Sequence, residues 1–472
     1  MQFLGVSYPK HADRRKVSTS LLMGLDGNSA KRESSSGEDG SEDVLDSKKS
    51  KLANVKSGTY QGIVALLDQI LCSATTLVTF VLLARFCEQD CVGAYALALY
   101  LILPLRVMQD RIISTPYMML IHRDPSRAAS RLGSAFAHQS ALSLFSIILA
   151  VAVGLGSLWL RGWVPHTEAI LALAFVAPCL LWRDLLRSIS FSHGDAFSAM
   201  IADGVVFVLQ LIGLYICLAT LHTSVNYFLL ITGLSSAGGC AVWFLLDRRP
   251  FTIQYRDAWQ DWTENWVIGR WLVAARILGS AGIIAIPWII AFENGDAAAG
   301  VFATCMNLVG LSFMFARGLN NFFRPNSIKA FHTGGGRMLR RALLTSTCVL
   351  SSYMLCITIL FWFVGSFLME FVYGSSFANT GYLAFLLSIV SLATSLSMVL
   401  DNGVTALNRP EVSFYAELAN GIATIGLGLL LIPAWGLNGS AIAILCGQLV
   451  GACILGIAVF KLTGANSSPS KA

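Results

Sequence analysis

Nine ionisable residues lie inside the apolar stretches of this chain, where a buried charge is costly and usually serves a function. Five of the nine are arginines, which keep their charge and bind phosphate through two parallel hydrogen bonds. A proton relay would instead need side chains that titrate near neutral pH. The set therefore favours the binding of an anion, with phosphate as the natural candidate. Its members are Asp68, Arg85, Arg106, Asp110, Arg111, Asp203, Arg276, Arg317 and Glu417.

Four of these arginines are candidates for the wall of a substrate cavity. Arg276 and Arg317 are the strongest, because neither has an acidic residue within one helical turn. Arg111 and Arg106 are further candidates. Arg106 can equally pair with Asp110, one turn later on the same helix. Asp110 and Arg111 are adjacent, so they are expected to point in different directions.

Asp68 is the candidate for ion coupling. It could hold a coupling cation or pair with an arginine, and the sequence leaves both interpretations open. No nucleotide-binding loop, zinc-protease motif or nucleophile elbow occurs in the chain. The sequence therefore predicts no catalytic residue, no metal site and no cofactor, and it favours a protein that is not an enzyme.

The composition explains where these charges must lie. Of the 472 residues, 55% are hydrophobic and only 13% are charged, and the mean hydropathy is +0.65. An ordinary soluble domain carries about 25% charged residues. This rules out a globular cytosolic enzyme and a nucleic-acid binder, and it predicts an integral membrane protein with many spans.

A membrane-spanning helix needs about 20 mostly apolar residues. Twelve such stretches can be counted, and they lack the alternation of β-strands. The predicted fold is an all-α polytopic membrane protein with about twelve spans. The stretches are 60–85, 92–120, 133–160, 166–182, 198–220, 225–246, 271–292, 297–323, 342–368, 380–400, 412–432 and 437–460.

The distribution of Lys and Arg predicts the orientation. Segments on the side of the N-terminus carry 27 of these residues, and those on the other side carry only Arg161. Because cytoplasmic segments collect positive charge, both termini are predicted to be cytoplasmic, in a plasma (inner) membrane. The N-terminal tail is rich in Ser, Gly and acidic residues and is predicted to be disordered.

The two halves of the chain show a weak internal repeat. Gly93-Ala94-Tyr95-Ala96 and Gly300-Val301-Phe302-Ala303 each restart a span after a short polar turn. Such a repeat predicts two six-helix lobes around a central cleft. The predicted division is a disordered tail 1–56, a first lobe 57–246, a cytoplasmic linker 247–270, a second lobe 271–461 and a cytoplasmic tail 462–472.

Several stretches match a known pattern in their order and spacing. They are Asp68–Thr76 with Leu82–Arg85, Gly93-Ala94-Tyr95, Arg183–Asp203, Asn408-Arg409-Pro410 and Ile432–Ala443. Together they resemble bacterial polysaccharide flippases, the lipid-linked oligosaccharide exporters of the multidrug/oligosaccharidyl-lipid/polysaccharide superfamily. The resemblance covers about residues 58–461. The long charged N-terminal tail departs from the compact start of that family.

The resemblance implies a fold, a cargo and a set of partners. The fold is the MATE-like, V-shaped arrangement of two lobes that work by alternating access. The cargo is a polyprenyl-pyrophosphate-linked oligosaccharide, moved from the cytoplasmic to the outer leaflet at the expense of an ion gradient. Arg111, Arg276 and Arg317 would line the cationic cavity. Membrane lipids, and the polymerase and export proteins of polysaccharide synthesis, are the implied partners.

Three other functions compete with this interpretation. A cation-coupled multidrug exporter of the same superfamily would need carboxylates on the cavity wall, and Asp68 keeps that alternative open. A membrane enzyme would need a large external loop or a catalytic cluster, and neither is visible. A peptidoglycan-precursor flippase would differ only in its cargo and often has more than twelve spans.

Overall fold

The computed structural model describes residues 39–121, 123–161, 165–220 and 224–465, and these form helices and short connections. The helices are α1 Asp39–Phe86, α2 Gln89–Gln109, α3 Thr115–Ile121, α4 Ala128–Arg161, α5 Pro165–Ser192, α6 Ala196–Ala219, α7 Val225–Leu246, α8 Tyr255–Asn294, α9 Asp296–Tyr373, α10 Gly381–Ala406 and α11 Pro410–Ala465. A π-helical turn, Asp110–Ser114, joins α2 to α3 within one span. In the described residues, ten helical segments are long and apolar enough to cross a membrane.

Two of the helices are too long for a single crossing and fold back on themselves. α9 has 78 residues, yet the Tyr353 hydroxyl donates to the Ser312 carbonyl at 2.9 Å. In a straight helix, residues 41 positions apart would be separated by about 60 Å. The reversal occurs at Gly335, whose φ of 62° and ψ of −156° favour glycine.

Helix α11 reverses in the same way at Gly436, with φ of 56° and ψ of −136°. Its two arms then pack closely, because a Cβ on Gly447 would lie 2.0 Å from the Thr424 hydroxyl. When α9 and α11 are each counted as two crossings, the described residues contain the twelve crossings that hydropathy predicted. The predicted fold class is confirmed.

The described part of the chain begins within the predicted N-terminal tail. The described residues up to Tyr60 and those from Gln61 onwards form two compact units. Residues 1–38 of the predicted disordered tail lie outside the described residues. Residues 39–56 are part of α1, where disorder was expected. Extending a helix beyond an existing one is far easier than starting it, and this segment contains several lysines, which favour helix.

The predicted linker 247–270 is largely helical, because α8 begins at Tyr255. Ion pairs and a hydrogen bond hold this first part of α8 against the start of α4. Arg127 lies 3.0 Å from Asp261, and Arg131 lies 3.3 Å from Glu264. Further along, Gly279 and Gly282 of α8 pack against α11 instead. A single helix therefore connects the first predicted half with the second.

The two glycines of the internal repeat meet each other. A Cβ on Gly93 would lie 1.8 Å from the Asp296 carbonyl oxygen, and one on Gly300 would lie 2.7 Å from the Gly93 nitrogen. Equivalent residues meet in this way beside a two-fold axis. Nearby, Arg85 donates to the Val372 carbonyl at 2.9 Å and Gln89 donates to the Ser376 carbonyl at 2.9 Å. This end of the molecule is closed by a backbone-to-backbone crossing of α2 and α9.

We predict that Gly93→Leu lowers the free energy of unfolding by about 1–3 kcal/mol, because its side chain would collide with backbone rather than with movable side-chain atoms. Gly426→Leu is the matched control, since no atom lies within 4 Å of a Cβ at that position. Thermal unfolding of both variants in detergent is the measurement. Equal transition temperatures for Gly93→Leu and Gly426→Leu would show that the backbones of α2 and α9 do not pack closely at Gly93.

Candidate functional site

A cavity of about 340 Å³ opens between α1, α2, α5, α6, α7 and the first arm of α9. Two arginines, Arg106 and Arg183, line it, and no carboxylate is among its lining residues. The remaining polar groups are hydroxyls and amides, which can accept or donate hydrogen bonds to a sugar or a phosphate. They belong to Thr75, Thr76, Tyr95, Tyr100, Gln210, Thr232 and Asn307.

The predicted cavity residue Arg106 lies in this wall, but the alternative of a pair with Asp110 is wrong. Its Nε lies 2.8 Å from Asp184 Oδ2 on α5, not beside Asp110. Asp110 begins the π-helical turn, which widens the helix and changes which residues share a face. Asp110 instead lies 3.2 Å from Arg111 Nε, so the expectation that these neighbours point apart is also wrong.

Arg183 belongs to a buried cluster of four charges beside the cavity. Its Nε donates to Asp203 Oδ1 at 2.6 Å. Arg187, one turn later on α5, donates to Asp68 Oδ2 and lies 3.3 Å from Asp203 Oδ2. The side chains of Asp68 and Asp203 are 0% and 2% exposed. The cluster of Asp68, Asp203, Arg183 and Arg187, which we call the charge quartet, is therefore electrically balanced.

The quartet answers the question that the sequence left open about Asp68, which does pair with an arginine. Its second oxygen, Oδ1, is buried and has no hydrogen-bond partner among the residues that the structure describes. Asp68, Asp203 and the Cys72 thiol place three potential ligand atoms within 4.8 Å of one another. With two guanidinium groups already neutralising both carboxylates, this arrangement favours no additional cation.

The other predicted cavity residues lie elsewhere. Arg111 sits in the π-helical turn, whose backbone packs against α8 so closely that a Cβ on Gly269 would lie 2.6 Å from the Arg111 carbonyl oxygen. Arg276 and Arg317 are exposed and close enough to repel each other electrostatically. None of the three lines the 340 Å³ cavity.

Arg276 of α8 and Arg317 of α9 nevertheless form a second positively charged region, outside the 340 Å³ cavity. The Arg317 guanidinium lies 4.9 Å from the centre of the Phe313 ring. Arg276 is attracted by Glu417 of α11. Two guanidinium groups that repel each other, of which Arg276 also interacts with Glu417, leave a net positive charge, which an anion would neutralise.

Sequence reasoning missed Arg183 and Arg187, which it placed in a cytoplasmic loop. Hydropathy ended the fourth span at residue 182, just before these charges, whereas α5 continues to Ser192. Two clues in the sequence could have corrected this. Arginines four residues apart share one helix face, and the intramembrane Asp203 needs a positive partner.

Comparison with known proteins supports the fold. No model of a known protein family matches the chain. A capsular polysaccharide biosynthesis protein, CapF, from Staphylococcus aureus is 24% identical over 257 residues, which is 53% of this chain and 64% of that relative's length. The chain thus matches less than two thirds of this curated relative.

Solved structures match over most of the chain. An inward-facing multidrug resistance transporter of the MATE family and MOP superfamily has a TM-score of 0.72 at 15% identity, covering 86% of this chain and 100% of that one. The lipid II flippase MurJ, in an inward closed conformation, has a TM-score of 0.66 at 12% identity, covering 87% and 90%. A MOP superfamily transporter from Pyrococcus furiosus has a TM-score of 0.62 at 15% identity, covering 87% and 96%. The resemblance predicted from sequence is confirmed for the fold.

We predict that Asp203→Leu destabilises the protein by about 3–5 kcal/mol, because it leaves the Arg183 guanidinium buried without its carboxylate. The double variant Asp203→Leu/Arg183→Met removes both charges and should recover most of that loss. Thermal unfolding and the yield of membrane-inserted protein measure both effects. If the double variant were no more stable than the single one, pairing within the quartet would not be the source of the stability.

Proposed function

We propose that this protein is a membrane transporter that moves a polyprenyl-pyrophosphate-linked oligosaccharide from the cytoplasmic to the outer leaflet, for the synthesis of a surface polysaccharide. The observation that carries the proposal is the cavity wall with two guanidinium groups and no carboxylate. The acidic partners of these arginines, Asp184 and Asp203, are not part of that wall. A diphosphate is therefore the group that the wall recognises best.

Two comparisons support the choice of cargo. The relative that matches half of the chain is a capsular polysaccharide biosynthesis protein, and one protein that shares the fold is a lipid II flippase. The hydroxyls and amides of the cavity suit the sugar units that follow the diphosphate. Transport by this route breaks no covalent bond, so the proposed protein is a transporter and not an enzyme.

The proposed transport cycle uses the two predicted lobes, 57–246 and 271–461, which open alternately to either side of the inner membrane. The positive charges of the loops support a cytoplasmic position for both termini. Arg276, Arg317 and Arg111 would meet the anionic head as the lobes rearrange. The polymerase and export proteins of the same polysaccharide are the candidate partners.

Ion coupling is assigned to Asp68 as part of this proposal. Arg183 belongs both to the cavity wall and to the charge quartet. An anion that draws Arg183 towards the cavity would leave the two carboxylates with a single positive partner. The pair would then take up a proton or another cation, and binding of the cargo would be linked to an ion gradient.

The alternative is a cation-coupled multidrug exporter with the same fold. Such a protein would bind its cargo with carboxylates that face the cavity, and here Asp68 and Asp203 are paired with arginines.

We predict that Arg106→Gln weakens the binding of farnesyl diphosphate by about 10- to 100-fold, because hydrogen bonds to a charged group contribute about 1.5–3 kcal/mol. Arg409→Gln is the control, since Arg409 is exposed and pairs with Glu411 at the start of α11. Binding to the purified chain in lipid nanodiscs is the measurement. Arg106→Gln/Asp184→Asn, which keeps the local charge balanced, should bind as weakly as the single variant. Unchanged affinity in both would exclude Arg106 from the site.

We also predict that a strain lacking the gene loses its surface polysaccharide and accumulates lipid-linked oligosaccharide on the cytoplasmic leaflet. Wild-type protein should restore the polysaccharide, whereas Arg276→Ala and Arg317→Ala should not, although they reach normal levels in the membrane. If the strain lacking the gene kept its surface polysaccharide and became sensitive to cationic drugs, the proposal of a flippase would be wrong and the multidrug exporter would be favoured.

A further inference from the structure

A network of hydrogen bonds joins four helices at one end of the arginine-lined cavity. The Gln210 amide of α6 donates to the Thr79 hydroxyl of α1 at 2.7 Å and to the Thr232 hydroxyl of α7 at 3.3 Å. The Tyr95 hydroxyl of α2 lies 3.2 Å from the same Thr232 hydroxyl. These four residues, between 1% and 7% exposed, are called the glutamine network. All of them except Thr79 line the cavity.

The threonine protons of the glutamine network are already used by the backbone. Thr79 donates to the carbonyl one turn earlier on its own helix at 2.8 Å, and Thr232 does the same at 2.9 Å. Because a hydroxyl has only one proton, both threonines must accept from Gln210. This fixes the orientation of the Gln210 amide, with its NH₂ group towards the threonines. Tyr95 must likewise donate its proton to Thr232.

The groups that the glutamine network leaves for a ligand are hydrogen-bond acceptors. Both amide protons of Gln210 are used, and its Oε1 accepts no hydrogen bond from the residues that the structure describes. The Tyr95 oxygen keeps its lone pairs once its proton is donated. The neighbouring Thr75 and Thr76 of the cavity wall also donate to backbone carbonyls of α1. This part of the wall therefore suits a ligand that donates hydrogen bonds.

The glutamine network and the two arginines lie at different depths in the membrane. Along α2, Arg106 comes 11 residues after Tyr95, which is about 16 Å. Along α6, Gln210 comes seven residues after Asp203, the partner of Arg183, which is about 10 Å. Arginine can only donate hydrogen bonds. The cavity thus has a donating end, which the predicted orientation places nearer the cytoplasm, and an accepting end beyond it.

We propose that the glutamine network binds the sugar of the transported lipid and selects sugars that present a hydrogen-bond donor, a hydroxyl or the N–H of an acetamido group. The inference rests on the proposed function and adds a specificity-determining residue, Gln210. A diphosphate held by Arg106 and Arg183 leaves the deeper part of the cavity to the sugar. A carboxylate or phosphate is disfavoured there, because it only accepts hydrogen bonds.

The test compares two probes that share a lipid and a diphosphate, farnesyl diphosphate and farnesyl diphospho-N-acetylglucosamine. Their binding to the full chain is measured in nanodiscs. The variant is Gln210→Met, which keeps the length of the side chain and removes its hydrogen-bonding groups. Gln139→Met is the matched control. Gln139 is also a buried glutamine that donates to a hydroxyl, that of Ser143 at 3.3 Å, but it lies on α4 and does not line the cavity.

The sugar-bearing probe is expected to bind wild-type protein more tightly than farnesyl diphosphate. Gln210→Met should reduce this ratio of affinities by about three- to tenfold, the effect of one hydrogen bond between uncharged groups. Gln139→Met should not change the ratio. A sugar that adds no affinity, or an unchanged ratio in Gln210→Met, would overturn the sugar site and leave the proposed function standing. Failure of farnesyl diphosphate to bind wild-type protein would overturn the proposed function itself.

A second pair of variants tests whether the network acts through hydrogen bonds. Thr79 positions Gln210 but does not line the cavity. Thr79→Val removes the acceptor of the Gln210 amide and should lower the same ratio of affinities. Thr79→Ser keeps the hydroxyl and should retain the wild-type ratio. An equal loss in both variants would show that packing at this position causes the effect, which contradicts the proposed role of the network.

A third measurement uses wild-type protein only, in case a variant does not assemble. The donor groups of the sugar are replaced one at a time, each hydroxyl by fluorine and the acetamido N–H by an ester oxygen. At least one replacement should weaken binding by about three- to tenfold, because the probe can no longer donate to the network. Unchanged affinity for every replacement contradicts the proposal. Farnesyl diphosphoglucuronate should bind more weakly than farnesyl diphosphoglucose, and the reverse order also contradicts it.

Discussion

Arginine keeps its positive charge in every environment that a membrane protein offers, and the first half of this structure is arranged around that constraint. Each guanidinium that α5 carries into the membrane is paired with a carboxylate from another helix, Asp203 on α6 or Asp68 on α1. These pairs connect three helices through charges that cannot be separated cheaply in a low-dielectric interior. The hydrogen bond to Asp203 holds the Arg183 side chain in place. The rest of its guanidinium group is therefore able to face the cavity.

Close backbone contacts at glycine residues hold further helices together, in addition to the ion pairs. Lipid is as apolar as the helix surfaces, so helices in a membrane associate through tight packing at small residues rather than through burial of apolar area. Gly93 and Gly300 bring α2 and α9 together at one end, and Gly447 brings the two arms of α11 together. Away from these contacts, helices can diverge, and the arginine-lined cavity occupies one of the spaces that result.

Hydropathy was sufficient to predict the helical fold and the number of crossings, because lipid requires long apolar helices with satisfied backbone groups. It also identified Arg106, a charge too far from either end of its span to be a boundary. It failed for Arg183 and Arg187, since a charge near the end of an apolar stretch looks the same whether the helix stops or continues. The pairing of Asp68 could not be predicted either, because its partner is 119 residues away and a single sequence does not show which helices are neighbours. The π-helical turn at Asp110 has no recognisable pattern in the sequence, and it changed the partners of Arg106 and Arg111.

Helix α8 has a mechanical consequence for any protein built in this way. Its first turns are held to α4 by Asp261 and Glu264, and its later turns pack against α11 at Gly279 and Gly282. The helix therefore connects the two predicted bodies, 57–246 and 271–461, and belongs fully to neither. If the bodies rotate apart, α8 must bend between its two attachments, and the energy stored in that bend returns when they close. The stiffness of this one helix, between residues 265 and 279, would then set how far the two halves can open.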